Sequence, residues 1–186
     1  MPSINREFLN SLAGDWTNFP CFIETGTFQG ETIFAMEPLF SKLYTVELAE
    51  KFYNNTRLQY AGNKINFLLG DSSDVFGTLL PTIQDKAIFF LDGHWSSGDT
   101  GKGVKDCPLV EEITHINCLF RHEAIIIIDD FRLFGLNASS GKLNEDWSDI
   151  HKDSLLHILK ERITDVYHLD SYCAKDDRLV IHISAL

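Results

Sequence analysis

Long apolar runs are missing from this chain. None approaches the roughly 20 residues of a membrane-spanning helix, and the opening stretch MPSINREFLNSLAGDW has no apolar segment of signal-peptide type. No membrane partner is expected, and the cytoplasm is the expected compartment. Positive charge is scarce. Lys and Arg number 16 against 27 Asp and Glu, for a formal net charge of −11, and no Lys/Arg stripe occurs. A nucleic-acid backbone would be repelled at long range, so no nucleic-acid partner is expected. Small neutral or cationic ligands and metal ions suit the charge better. Cysteines are few. Cys21, Cys107, Cys118 and Cys173 are scattered with no C-x-x-C pair. Buried free thiols fit this spacing better than disulfides or zinc. Repeats, low-complexity tracts and Pro/Gly/Ser linkers are also absent. With 186 residues, 44% of them hydrophobic, the chain reads as one domain over residues 1–186 with room for a real core.

Apolar and β-branched runs are present and recur with helical material between them. They are residues 21–23, residues 43–46, Ile65–Leu69, Ala87–Leu91 and Ala124–Ile128. Each leads to an acid: Glu24, Glu47, Asp71 after Gly70, Asp92, and Asp129 with Asp130. Continuous apolar strands alternating with helices predict a parallel sheet covered on both faces. Ligands on such sheets bind beyond the C-terminal strand ends, where all five runs place their acids. Two more strands, Ile163–Leu169 and residues 178–184, follow a helix at residues 155–162. Only DSYCAKDD separates them. A parallel crossover needs about a dozen residues or more, so this pair is expected to be an antiparallel hairpin at one sheet edge. The expected fold is α/β: a mostly parallel, Rossmann-like seven-stranded sheet with a C-terminal antiparallel hairpin and helices on both faces.

Residues 22–30, FIETGTFQG, carry the most information. An apolar run ends in Glu24, the glycines Gly26 and Gly30 follow, and a helix is predicted from about Glu31. Such a strand–turn–helix presents backbone N–H groups to a ligand. The dinucleotide fingerprint G-x-G-x-x-G is not met, because Phe28 occupies its second glycine position and Glu31 follows Gly30. The spacing is wrong for a pyrophosphate, which disfavours an NAD-dependent enzyme.

The set of strands, glycines and acids resembles the class I S-adenosylmethionine-dependent methyltransferases over nearly the whole chain. The family's first-strand motif, acid-x-G-x-x-x-G, matches Glu24, Gly26 and Gly30, with Thr25 and Thr27 between them. The resemblance implies that this turn holds the methionine part of the cofactor. It implies that Glu47 in YTVEL, followed by Leu48, grips the ribose. Asp71 and Ser72 would lie near the adenine, and Asp92 in LDGHW would face the methyl-transfer region. Phe28 departs from the many members that have a third glycine there.

A narrower resemblance lies in FFLDGHWS and AIIIIDDFR, which look like the magnesium-dependent small-molecule O-methyltransferases. It implies one divalent ion, such as Mg²⁺, held by Asp92, Asp129 and Asp130. Neighbouring strands lie ~4.8 Å apart, so carboxylates at adjacent ends can converge on one hard cation. Without a cation, three clustered carboxylates repel and one pKa rises. The bland alternative has Asp130 capping the next element. His94, two positions after Asp92, is a candidate base for an acceptor hydroxyl. A packing role for it stays open, as does a metal-activated hydroxyl that needs no base.

Residues 96–106, SSGDTGKGVKD, read as a lid over the substrate or as a plain solvated loop. Residues 107–120 read as a helix whose Glu111 and Glu112 face solvent, unless one of them lines the site. Residues 137–147 form a second polar loop, and its Trp147, with Trp95 and Phe131, is either an acceptor wall or core. The expected activity is S-adenosylmethionine-dependent methyl transfer to a small-molecule acceptor, at an oxygen. The rivals are a related-scaffold enzyme of other chemistry, such as hydroxylation, and a non-catalytic cofactor-binding module. Only about 20 residues precede the first strand, which favours a small acceptor or a site completed by a second copy in a homo-oligomer.

Overall fold

The computed structural model describes residues 2–95, 101–137 and 145–186. Seven strands form one sheet in the order β3-β2-β1-β4-β5-β7-β6. They are β1 (Cys21–Thr25), β2 (Lys42–Glu47), β3 (Ile65–Leu69), β4 (Ala87–Leu91), β5 (Ala124–Ile128), β6 (Ile163–Leu169) and β7 (Arg178–Ile183). The first five are parallel, while β7 pairs antiparallel with both β5 and β6. The expected terminal hairpin is therefore present, and its second strand is the one inserted next to β5.

The helices are α1 (Arg6–Leu9), α2 (Glu31–Met36), α3 (Glu50–Gln59), α4 (Ser72–Leu79), α5 (Leu109–Leu119) and α6 (Lys152–Leu159). Alternation along each strand feeds two cores. Ala87, Phe89 and Leu91 of β4 face Phe76 of α4, Ile113 and Ile116 of α5, and Leu155 and Leu159 of α6. Ile88 and Phe90 face Ile33 and Met36 of α2 together with Leu9 and Trp16 of the N-terminal segment. Successive strand residues point to opposite faces, so a strand buried on both must be apolar throughout.

Several boundaries differ from expectation, among them β2, which takes in Lys42 and Glu47 beyond residues 43–46, and α5, which covers only part of residues 107–120. β1 runs on through Glu24 to Thr25, and all five of its residues are buried. Glu24 thus sits inside the strand, because its carboxylate accepts a hydrogen bond from Thr45 of the adjacent β2 at 2.8 Å. The helix expected at residues 155–162 lies three residues earlier, at Lys152–Leu159. The predicted seventh strand stops at Ile183, one residue short. All four cysteines are free, two of them buried (Cys21, Cys107) and two exposed (Cys118, Cys173). No helix among the described residues is long and apolar enough to cross a membrane.

Candidate active site

The strand order reverses between β1 and β4, and the crevice at such a switch point is where open α/β sheets bind ligands. Thr25 pairs with Leu91 across it, so Gly26 meets Asp92 directly beyond the strand ends. The approach is close. A Cβ on Gly26 would lie 2.3 Å from the Asp92 carbonyl oxygen, and its φ of +82° is one that side chains rarely adopt. Any side chain there would push the two strand ends apart.

Above this contact lies a concave cavity that opens to solvent. Glu47, Asp71 and Asp92 bring a carboxylate each from the ends of β2, β3 and β4, and Phe28, Leu48 and Phe52 bring apolar surface. Glu47 is fixed by two backbone donors, Phe28 N–H to Oε2 and Ala49 N–H to Oε1, both at 2.8 Å. Asp71 caps α4 by accepting from the Ser73 N–H at 3.0 Å and the Ser73 hydroxyl at 2.7 Å. Gly103 closes the wall from above, where a Cβ would lie 2.5 Å from Asp71 Oδ2. Of the expected lid, residues 96–100 lie outside the described residues. Its described part lines the cavity through Gly101, Gly103, Lys105 and Asp106.

Asp92 leads on to a cluster of acids around His94. The ring's Nδ1 is 3.6 Å from Asp92 Oδ1, and its Nε2 is 3.4 Å from Asp130 Oδ2 and 3.7 Å from Glu145 Oε2. Trp147 packs edge-on to the imidazole at 5.0 Å and donates its indole N–H to Glu145 at 2.9 Å. Burial raises the Asp92 carboxyl well above the carboxylate range, with Asp129, Asp130 and Glu24 adding to the rise.

The expected metal trio is split. Ligand atoms within 4.8 Å of one another belong to Asp92, His94 and Asp130, and separately to Asp129, Asp130 and Asp177. Asp129 is turned away by Arg178, whose Nε is 3.2 Å from Asp129 Oδ1. The register explains this. Ile128 pairs with Leu179, so the residue just after β5 meets the first residue of β7. Burial still raises Asp129 above the ordinary range, against the pull of Arg178. Asp130 sits in the left-handed region at φ 59° and contacts Arg132 at 2.5 Å. Arg132 also bridges to the buried Asp177.

Two carboxyls lie behind the cavity wall. Burial pushes Glu24 up to about 8, although the Thr45 hydroxyl opposes the shift. Burial likewise pushes Glu112 up to about 7, opposed by the nearby Ser72 and Thr25 hydroxyls. Glu112 is 2% exposed, which corrects the expectation that it faces solvent. The signal was available: Leu109, Glu112, Ile113 and Ile116 share one buried helix face, with the spacing of an inward stripe. Glu112 Oε1 and Thr25 Oγ1 are buried without a hydrogen bond of normal geometry.

No protein-family model matches this sequence, and no curated protein matches it. Solved structures do. A Listeria monocytogenes protein, assigned provisionally as an S-adenosylmethionine-dependent methyltransferase, superposes with a TM-score of 0.59 at 11% identity, covering 97% of each chain. The N-methyltransferase NodS of Bradyrhizobium japonicum, in complex with S-adenosyl-L-homocysteine, gives 0.58 at 10% identity over 90% of this chain and 78% of its own. Magnesium protoporphyrin IX methyltransferase of Synechocystis, also with S-adenosylhomocysteine bound, gives 0.57 at 14% over 91% and 76%.

The fold is that of the class I S-adenosylmethionine-dependent methyltransferases.

Within that methyltransferase fold the expected residues divide into two groups. Gly26, Glu47, Leu48, Asp71, Ser72 and Asp92 line the cavity, and so does His94. Glu24, Thr25, Thr27 and Gly30 support it from behind. Thr27 and Thr45 share a hydroxyl contact of 2.5 Å that continues to Glu24, and Gly30 opens α2 at φ 80°. Trp95 lines the cavity. Trp147 is core, 2% exposed, and Phe131 packs against the same core. In the second polar loop, residues 138–144 lie outside the described residues. Sequence reasoning missed Glu145, Phe52 and Asp106, which stand in loops or helices with no motif to mark them. The donor set fits an S-adenosyl group. Its carboxylates suit the hydroxyl donors and positive charge that such a group carries, and apolar side chains flank them.

Proposed function

We propose that this chain binds S-adenosylmethionine in the cavity and transfers its methyl group to a small-molecule acceptor, at an oxygen. The row of acids at the ends of β2, β3 and β4, beside the Gly26–Asp92 contact, carries the reading. The bound donor supplies an electrophilic methyl group, so the protein's work is alignment and removal of the acceptor proton. Glu47 keeps lone pairs beyond its two N–H partners and accepts the ribose hydroxyls. Asp71 and Ser72 mark the adenine end. His94 takes the acceptor proton, and the carboxylates of Asp130 and Glu145 within 3.7 Å offset the charge it gains. In the alternative arrangement Asp92, His94 and Asp130 would hold a divalent cation such as magnesium, which would lower the pKa of an acceptor hydroxyl and relieve His94 of the role of base.

Calorimetry with S-adenosylhomocysteine tests the reading. A carboxylate on two hydroxyls makes charge-assisted bonds of roughly 1.5–3 kcal/mol each. Glu47→Ala is expected to weaken binding by about tenfold or more. Equal affinity in Glu47→Ala would remove the ribose assignment.

A further inference from the structure

Phe28 is a large residue at a backbone position that suits glycine. Its φ of 46° lies in the left-handed region, where a bulky side chain is strained. Two hydrogen bonds hold it there. Its N–H donates to Glu47 Oε2 at 2.8 Å, and its carbonyl accepts from the Thr56 hydroxyl at 2.9 Å. The ring nevertheless stays 46% exposed. It stands on Phe52 with ring centroids 4.6 Å apart and lines the cavity. Core packing does not explain a strained backbone that leaves an aromatic ring half in solvent. Strain of this kind is characteristic of ligand contacts.

The bond to Glu47 has a second effect. Turns that bind a pyrophosphate aim free N–H groups at the anion. Here the Phe28 N–H is already taken by a carboxylate, which adds negative charge where a phosphate would sit. An uncharged or cationic nucleoside meets no such repulsion.

We propose that Phe28 is a ligand-contacting residue that sets specificity: its ring covers the nucleoside half of the ligand beside Glu47, and the occupied turn admits a nucleoside joined through sulfur but not one joined through phosphate. The inference rests on the methyl-donor reading above.

The probes are S-adenosylhomocysteine, 5′-methylthioadenosine and NAD. Each is titrated calorimetrically into the wild type, Phe28→Ala, Phe28→Gly and Phe28→Tyr, and the melting temperature of each protein is recorded. The wild type is expected to bind both thioethers and not NAD. Phe28→Ala and Phe28→Gly should each lose about tenfold in affinity for both thioethers, the scale of one aromatic–base contact, and Phe28→Tyr should keep it. Phe28→Gly should melt above Phe28→Ala, because glycine takes a positive φ without strain, yet bind no better. A residue serving only the fold would show the opposite, with affinity following stability and Phe28→Gly binding more tightly than Phe28→Ala. That pattern, unchanged affinity in both variants, or NAD binding by the wild type overturns the proposal. A wild type that ignores S-adenosylhomocysteine overturns the methyl-donor reading and this inference together. Normal wild-type binding with unchanged variants overturns this inference alone.

Discussion

Glu24 and Glu112 tie the stability of the folded chain to pH. Burial pushes the first up to about 8 and the second up to about 7. Unfolding returns both toward the ordinary 4.5. Between those values the unfolded chain binds fewer protons than the folded one, so stability falls as pH rises. The contribution is complete below about 4.5 and has gone above about 8. Glu24→Gln keeps an oxygen for the Thr45 hydroxyl and removes one titration. Relative to the wild type it is expected to gain up to roughly 1.4 kcal/mol per pH unit across that window. Urea unfolding from about pH 5 to pH 8 measures the gain, and parallel curves for the two proteins would refute it. The sequence shows that Glu24 follows an apolar run but not that it is sealed. The seal comes from Thr45, 21 positions away on β2.

Among the elements, the loops after β4 and β5 meet at Asp106. Its carbonyl accepts from the Trp95 N–H at 2.7 Å, its Oδ1 contacts Lys102 at 2.9 Å, and its Oδ2 accepts from the Asp146 N–H at 3.0 Å. The last bond seats the segment that carries Glu145 and Trp147 against His94. Asp106→Ala is expected to strip hydrogen-exchange protection from the Asp146 amide, while Asp106→Asn, which keeps an acceptor oxygen, retains most of it. Full protection in Asp106→Ala would show that the loops hold without this link. Strands and hairpin were legible because apolar runs and an eight-residue gap are local features. The Asp129–Arg178 pair was not, because it joins residues 49 positions apart through a register that only the folded sheet sets. For the same reason Asp129 stands with Asp130 and Asp177, while the imidazole of His94 stands beside Asp92 and Asp130.

The whole molecule carries a net charge of −11, and carboxylates wall both the cavity and the His94 cluster. A divalent cation that binds only the folded state stabilises it by mass action, by about 2.7 kcal/mol at a hundredfold excess over the dissociation constant. Magnesium is therefore expected to raise the melting temperature of the wild type. Asp130→Asn, which tolerates the left-handed backbone, should lose most of that rise. A wild-type melting curve indifferent to magnesium and to chelator would leave His94 as the proton acceptor without a cation.

The strand order also bears on how the chain is made. β7 follows β5 and β6 in the chain, yet it occupies an interior place between them in the sheet. Until it arrives, the edge of β5 stands open along five apolar residues, AIIII. An unpaired apolar edge is a template for pairing with other chains. Synthesis from β5 to β7 is thus a period of exposure that lasts until β7 has been made. Nascent chains stalled in that interval would be substrates for chaperones, and crowded polysomes would be the place where copies of this protein meet through β5.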